Sequence, residues 1–272
     1  MDMSHQNTTS LYGPLTKSID IDEALMLIDL SSAYESVAAW QDEALYRLPQ
    51  ASRRRRQEIA RAVRRKFLET EGDRFVSTPL RSLLTTPTLG GSLKRDLLLA
   101  QYLRTTPLVW EAVQQVVLPY AEAGGAEIPF EEWTPFLEAR LNTTTESTKV
   151  KTRNHITAHL TKFGLLEART VPGDRIAKRF YARFGEPNPR AFWFSLALEF
   201  GEKGWTSRSL AYVESQSWTR IAYCAKPAYV RFAMDEAERA GLIATDYYGS
   251  EKQCTFRNAD AVAHVVEVIR NG

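Results

Sequence analysis

Two segments of the sequence, KFGLLEA at 162–168 and RAGLIAT at 239–245, share one order of residues. In each, a helical pattern is stopped by a glycine, and two apolar residues then lead into a segment that can form a strand. Glycine adopts the left-handed backbone conformation that commonly ends a helix. The sequence therefore predicts two copies of one helix–strand unit, which is a weak internal repeat.

The residues around the first segment complete a recognisable order of elements. Helices are predicted over 130–141 and 147–163, and a strand is predicted over 169–171. Helix, turn, helix, glycine stop and strand is the order of a winged helix-turn-helix. We therefore predict a first winged-helix-like module over residues 128–185.

The second segment lies in a similar setting. Helices are predicted over 189–200, 207–218 and 227–240, and a hairpin joins 244–248 to 253–257 across Gly249-Ser250. A short closing helix follows at 260–269. These patterns predict a second winged-helix-like module over 188–272.

The N-terminal part of the chain is predicted to be all helical. Residues 1–18 are predicted to be a flexible tail. Apolar residues then recur at helical spacing between prolines and glycines, which predicts a compact helical domain over 19–121. The expected fold class is mainly α: an N-terminal helical bundle followed by tandem winged-helix-like modules with short β-hairpins.

The strongest local concentration of charge lies in residues 53–66, which contain eight basic side chains and one acid. Apolar residues at steps of four predict an amphipathic helix whose arginines cover the solvent face. Guanidinium groups pair well with phosphate oxygens. We expect a nucleic-acid contact here, with an acidic protein partner, intramolecular pairing or plain solvation as the alternatives. The candidate residues are Arg53, Arg54, Arg55, Arg56, Arg61, Arg64, Arg65 and Lys66.

A second basic segment begins the predicted helix at 147–163. Ser147 or Thr148 is a suitable N-cap, and the first turns carry polar and basic side chains that recognition helices present to the DNA major groove. The alternative is a helix that pairs with the protein's own acids. The candidate residues are Lys149, Lys151, Arg153, Asn154, His155 and Lys162.

The corresponding helix of the second module, at 227–240, differs in charge. Asp235, Glu236 and Glu238 would repel phosphate. Lys226, Tyr229 and Arg231 near its start could still contribute to nucleic-acid binding. A structural or protein-interaction role is therefore favoured for this module.

Several classes of protein are disfavoured by the sequence. It contains no phosphate-binding glycine loop, dinucleotide-binding fingerprint, zinc-protease motif or nucleophile elbow, so we expect no enzyme activity, cofactor or small-molecule substrate. His155 and His159 stand four residues apart without an evident third metal ligand. No apolar run approaches the length of a membrane span and no signal peptide is recognised, so we expect a soluble, cytoplasmic protein. Cys224 and Cys254 are expected to be buried thiols, with a disulfide between them as the alternative.

The order of segments resembles the BrxA family of the BREX bacteriophage-defence systems. The likeness covers about residues 11–170 and rests on four stretches of sequence: LYGPLTKS, SSAYESVAAW, LKRDLLLAQYLRTTPLVWEAVQQVV and ESTKVKTRNHITAHLTKFGLLE. The resemblance implies a bundle similar to the NusB antitermination factor, winged-helix elements, double-stranded DNA binding and a non-enzymatic role among other defence-system proteins. It applies most directly to Ser147, Thr148, Lys149, Lys151 and Arg153. The dense arginine cluster and the extended C-terminus depart from the family pattern.

Three functions remain as hypotheses. The first is a DNA-binding component of a phage-defence system, and the second is an assembly adaptor that binds partner proteins. The third is an RNA-binding protein with a NusB-like bundle.

Overall fold

The computed structural model describes residues 20–171 and 178–272. The tail predicted over 1–18 and the LYGPLTKS stretch lie outside the described residues. The helices, in chain order, are α1 (Ile21–Leu30), α2 (Val37–Arg47), α3 (Arg53–Phe67), α4 (Pro79–Leu84), α5 (Gly91–Arg104), α6 (Pro107–Ala112), α7 (Leu118–Glu122), α8 (Phe130–Arg140), α9 (Glu146–Lys162), α10 (Pro189–Lys203), α11 (Leu210–Ser215), α12 (Trp218–Ala222), α13 (Pro227–Arg239) and α14 (Ala261–Asn271). The strands are β1 (Thr70–Glu71), β2 (Arg74–Phe75), β3 (Leu166–Thr170), β4 (Lys178–Ala182), β5 (Ser207–Ser209), β6 (Ile243–Tyr248) and β7 (Glu251–Phe256).

The predicted fold class is confirmed: the protein is mainly helical, with short antiparallel hairpins. Packing divides the chain into two compact units. We call Leu103–Gly185 the middle unit, and residues 20–102 together with Glu186–Gly272 the split unit. This grouping differs from the consecutive domains predicted from the sequence, because helices before residue 103 share a unit with the C-terminal module.

The split unit joins segments that are far apart in the sequence. Helix α14 packs against both α10 and α4, and α1 packs against α2, α3 and α4. The indole Nε1 of Trp40, a fully buried residue on α2, donates a hydrogen bond to the carbonyl oxygen of Leu27 at 2.9 Å. Apolar stripes from both halves of the unit therefore supply its buried residues.

The C-terminal part of the split unit has winged-helix topology. Helix α10 is followed by β5, α11, α12, α13 and the β6–β7 hairpin, and the sheet has the strand order β5–β7–β6. The two-residue connection Gly249-Ser250 is the turn expected from the sequence, and Gly249 has φ of +64°. The helix predicted over 207–218 is wrong at its start, since Ser207–Ser209 pairs with β7 instead. A three-residue strand is too short to show alternating hydrophobicity, so its pairing depends on a distant partner.

The middle unit repeats this topology with a shorter first strand. Glu127 forms an antiparallel bridge with Tyr181 of β4, and β4 also pairs with β3. Helices α8 and α9 lie in sequence between that bridge and β3. The Ile128 backbone N–H donates to the Phe180 carbonyl oxygen at 2.8 Å, and the Ala182 N–H donates to the Ala126 carbonyl oxygen at 3.1 Å. The bridge, β4 and β3 thus have the same spatial order as the three strands of the C-terminal module.

Helix α9 begins at Glu146, one residue before the start predicted from the sequence. Its N-cap is Thr145, whose hydroxyl oxygen accepts a hydrogen bond from the Thr148 N–H at 3.3 Å. Glu146 then occupies the first turn, where a negative charge is favourable beside the positive end of the helix dipole. The cap residue is therefore neither Ser147 nor Thr148.

Buried Glu199 on α10 holds the start of α12 in place. Its carboxylate accepts hydrogen bonds from the backbone N–H groups of Trp218 and Thr219, at 2.9 and 3.0 Å. The hydroxyls of Thr219 and Tyr212 also donate to it. A buried carboxylate with four donors is well compensated for the loss of water.

We expect Glu199→Gln to lower the free energy of unfolding by about 1–3 kcal/mol, because the amide NH2 would face a backbone donor and leave it unsatisfied. Thermal and urea unfolding followed by circular dichroism measure this change. Glu202→Gln, on the exposed end of the same helix, serves as the control and should change stability by less than about 0.5 kcal/mol. Equal effects of the two substitutions would contradict a supporting role for Glu199.

Candidate nucleic-acid interface

Four arginines of α3 are exposed, namely Arg53, Arg54, Arg61 and Arg65. Arg61 and Arg65 follow Arg54 by seven and eleven residues, so these three side chains share one face of the helix. The Arg54 side chain is 89% exposed and its Nε lies 3.3 Å from the Glu58 carboxylate. An exposed pair of this kind is weak and leaves the guanidinium available to a stronger anion.

Three other arginines of this helix are only partly exposed. Arg55 lies 3.5 Å from Glu58, and Arg56 donates from Nη1 to the Leu45 carbonyl oxygen at 2.7 Å. Arg64 is also partly buried. Arg56 therefore helps to hold α3 against α2, and the basic surface is narrower than the sequence suggested.

Lys66 does not lie on the solvent face, contrary to the sequence prediction. It is 5% exposed, and its Nζ lies 4.7 Å from the centre of the Tyr102 ring. Burial lowers the pKa of this ammonium to about 8, with a smaller contribution from neighbouring Arg65. Lys66 follows Val63 by three residues and Ile59 by seven, so its spacing matches the buried stripe of the helix.

The exposed face of α9 carries three of the predicted residues: Lys151, Asn154 and Lys162. They are spaced by three and eight residues, with Ala158 between the last two, and so follow one stripe of the helix. Lys149 lies elsewhere: its side chain is 15% exposed and 3.5 Å from Glu146. His155 is partly exposed, while His159 is buried.

Arg153 packs against the protein rather than extending into solvent. Its guanidinium lies 3.8 Å from the centre of the Phe130 ring, and burial lowers its pKa. Its Nε and Nη2 groups face the side-chain oxygen of Asn154, with Nη2 at 3.0 Å and Nε at 3.4 Å. An arginine keeps its charge despite such burial. Arg153 therefore contributes positive charge and also orients its neighbour.

A cleft of about 630 Å³ lies between α9 and the β3–β4 hairpin. Two cationic residues line it, Arg153 from the helix and Lys178 from β4. The remaining lining residues are Asn154, Thr157, Ala158, Thr161, Ala168 and Phe180. The cleft thus combines two cationic residues with small or polar side chains and one aromatic ring.

Lys178 of this hairpin was not among the site residues predicted from the sequence. Lys178 shares a sheet face with Ala168 and Phe180, which line the cleft, whereas Arg169 and Arg179 are cross-strand partners on the opposite face. Arg169 is paired with Glu167 at 2.9 Å, and Arg179 lies 3.4 Å from Glu127. The basic residues around 169–183 were a usable signal, but the strand register was needed to assign each one to a face.

The C-terminal module presents a different surface. On α13, Arg231 pairs with Glu214 at 3.0 Å, and Arg239 pairs with Glu236. Glu238 accepts hydrogen bonds from the backbone N–H and hydroxyl of Thr245, which lower its pKa. Three aromatic residues are exposed on this module: Phe232 by 48%, Tyr247 by 75% and Tyr248 by 84%.

Among residues 20–171 and 178–272, no group of three or more His, Cys, Asp and Glu side chains is arranged to hold a metal ion. Within the same two ranges, no helix has both the length and the apolar character needed to cross a membrane. Cys224 and Cys254 are buried thiols, and burial raises the pKa of Cys254 to about 11.

Comparison with known proteins adds information about the fold. No protein-family model matches the sequence, and no curated protein sequence matches it. A solved structure described as an SspB crystal structure is similar over 96% of this chain and 89% of its own, with a TM-score of 0.62 and 13% sequence identity. At this identity the similarity shows a shared fold alone.

We expect Lys66→Met to raise the free energy of unfolding at pH 7 by roughly 1–3 kcal/mol, because it removes a charge whose burial is unfavourable. The folded-state pKa of about 8 lies below the unfolded value of 10.5, so the unfolded chain binds more protons between them. The stability of the unsubstituted protein should therefore rise between about pH 8 and 10.5 relative to that of the variant. Urea unfolding at several pH values measures the difference, and parallel pH profiles would contradict the buried placement.

Proposed function

We propose that the protein binds double-stranded DNA as a non-enzymatic, cytoplasmic component of a prokaryotic phage-defence system of the BREX type. One observation carries the proposal: α9 exposes Lys151, Asn154 and Lys162 along one stripe, and Asn154 lines a cleft together with Lys178 of the adjoining hairpin. Recognition helices of winged modules enter the major groove, and the hairpin beside them contacts the phosphate backbone.

Electrostatics supports DNA as the ligand. The acids closest in sequence to the exposed stripe of α9 are Glu146, which pairs with Lys149, and Glu167, which pairs with Arg169. Lys151, Asn154 and Lys162 are exposed on the same stripe, as required for contacts with phosphates and base edges. Release of condensed counterions from DNA would then add salt-dependent affinity.

Helix α3 would supply further phosphate contacts within the split unit. Arg54, Arg61 and Arg65 form its exposed stripe, and Arg53 is also exposed. Contacts of these residues with phosphates would add affinity that is independent of DNA sequence.

The assignment to a defence system rests on the resemblance of residues 11–170 to the BrxA family. The non-enzymatic role rests on the same resemblance and on the lack of recognised catalytic motifs in the sequence. Genes for a methyltransferase, an alkaline-phosphatase-like protein and a large ATPase beside this gene would support the assignment.

We expect the triple variant Lys151→Ala, Lys162→Ala, Lys178→Ala to weaken duplex binding and to reduce the slope of log affinity against log salt by about 3, because about three phosphate contacts are lost. Fluorescence anisotropy between 50 and 200 mM salt measures both quantities. The control triple Arg47→Ala, Lys203→Ala, Arg239→Ala removes the same charge from other exposed positions. Equal salt slopes in the two variants would contradict a specific α9–hairpin interface, and tighter binding of duplex RNA than duplex DNA would favour an RNA-binding function.

A second candidate function is an assembly adaptor, which the exposed aromatic residues of the C-terminal module favour. Phe232 lies on α13, and Tyr247 and Tyr248 lie at the end of β6, where polar residues are more usual on a free surface. Docking of a partner protein would cover this apolar area.

If the adaptor function holds, Phe232→Ser with Tyr247→Ser should abolish co-purification with the co-expressed products of the neighbouring defence genes, while duplex binding stays unchanged. Tyr46→Ser, at a residue that is 81% exposed on α2, is the matched control. Retained co-purification in the double variant would exclude the C-terminal module as the docking surface.

A further inference from the structure

We infer that Asn154 reads an adenine in the DNA major groove and that Arg153 and Phe130 hold its amide in the orientation needed to do so. This inference rests on the proposed DNA-binding function and assigns a sequence preference to the same site. Asn154 is exposed on the stripe that also contains Lys151 and Ala158, and it borders the cleft beside the hairpin.

The orientation of the Asn154 amide follows from its contact with Arg153. The guanidinium Nη2 and Nε atoms lie 3.0 and 3.4 Å from Oδ1. A guanidinium carries only donors, so the atom that faces it must be the amide oxygen. The NH2 group of Asn154 is then directed away from Arg153.

Phe130 in turn restricts Arg153. The guanidinium carbon lies 3.8 Å from the ring centre, which is a close cation–π contact. Phe130 is the first residue of α8, and the residue is 53% exposed. This large exposed aromatic side chain therefore provides a flat support for the guanidinium, and two helices together fix the position of one amide.

The fixed amide matches adenine best among the four bases. Adenine presents the N7 acceptor and the N6 amino donor side by side, and an asparagine can satisfy both with its NH2 and its oxygen. Oδ1 has a second lone pair for the N6 amino group after accepting from Arg153. Guanine presents two acceptors at these positions and would place O6 against Oδ1. Ala158, one turn later on the same face, is small and allows the helix to approach the base edges closely.

Selection of bound sequences from a random duplex library tests the inference directly. We expect the unsubstituted protein to enrich adenine at one position by about 10-fold or more, and Asn154→Ala to lose that enrichment. Lys151→Ala is the matched control on the same stripe, and it should weaken binding to all sequences while the preference for adenine persists. An unchanged preference in Asn154→Ala would overturn the inference.

A modified base identifies the contact at the atomic level. Replacing the selected adenine with 7-deazaadenine removes the N7 acceptor and leaves the pairing with thymine intact. The unsubstituted protein should lose affinity for the modified duplex, whereas Asn154→Ala should bind the modified and unmodified duplexes equally. An equal loss in both proteins would show that another residue reads the base.

The positioning role of Arg153 and Phe130 is tested by the ratio of affinities for adenine and guanine sites. Arg153→Lys keeps the charge but loses the planar donors, and Phe130→Leu removes the ring. Both variants should reduce the ratio of affinities for adenine and guanine sites by a larger factor than they reduce binding to a non-specific duplex. Phe130→Tyr keeps an aromatic ring and should therefore retain the ratio of the unsubstituted protein. Thermal unfolding of each variant confirms that it is folded, and an unchanged ratio in both variants would overturn the positioning role.

Failure of the inference and failure of the proposed function give different results. If no duplex of any sequence is retained at 50 mM salt, both are wrong. If duplex DNA is retained with strong salt dependence but without a selected adenine, the DNA-binding function stands and the role of Asn154 is rejected.

Discussion

The split unit depends on a small buried hydrogen-bond network around Asp96 of helix α5. The carboxylate accepts a hydrogen bond from the Asn188 backbone N–H at 2.7 Å, and the Asp96 carbonyl oxygen accepts one from the Tyr223 hydroxyl at 3.0 Å. Asp96 is 5% exposed, and burial raises its pKa. Asn188 also caps helix α10 through its side chain. One residue of the N-terminal part thus sets where the C-terminal winged module begins.

This network explains why the packing does not follow the order of the sequence. An unsatisfied buried donor or acceptor costs about 1–3 kcal/mol, so the partners of Asp96 strongly favour this one arrangement. The packing of α14 against α4 and α10 also favours this arrangement. In the middle unit, the antiparallel bridge between Glu127 and Tyr181 pairs the start of the winged module with β4. Both winged modules share a strand order, although the first strand is a single bridge in the middle unit and three residues long in the C-terminal module.

Part of the candidate site was predictable from residue spacing. Lys151, Asn154 and Lys162 are exposed on the predicted basic helix, and their role in nucleic-acid binding stays a prediction. The same spacing rule, applied more strictly, would have excluded Lys66 and Lys149, because both stand in register with apolar residues that are buried. Lys178 could not be assigned from local pattern, since its position depends on the register between β3 and β4. The stacking of Arg153 on Phe130 joins residues of two different helices, and no periodicity within either helix predicts it.

Local sequence determined most of the helices, the β6–β7 hairpin and where positive charge is concentrated. Helical periodicity, capping residues and glycine stops act over a few residues, so their effects can be read directly from neighbouring positions. Tertiary structure decided which cations reach the surface, which half of the chain packs with the C-terminal module, and which hairpin residues lie beside α9. Those outcomes depend on burial and pairing between segments that are distant in the sequence. The contact of Asp96 with Asn188, 92 residues apart, is the plainest example.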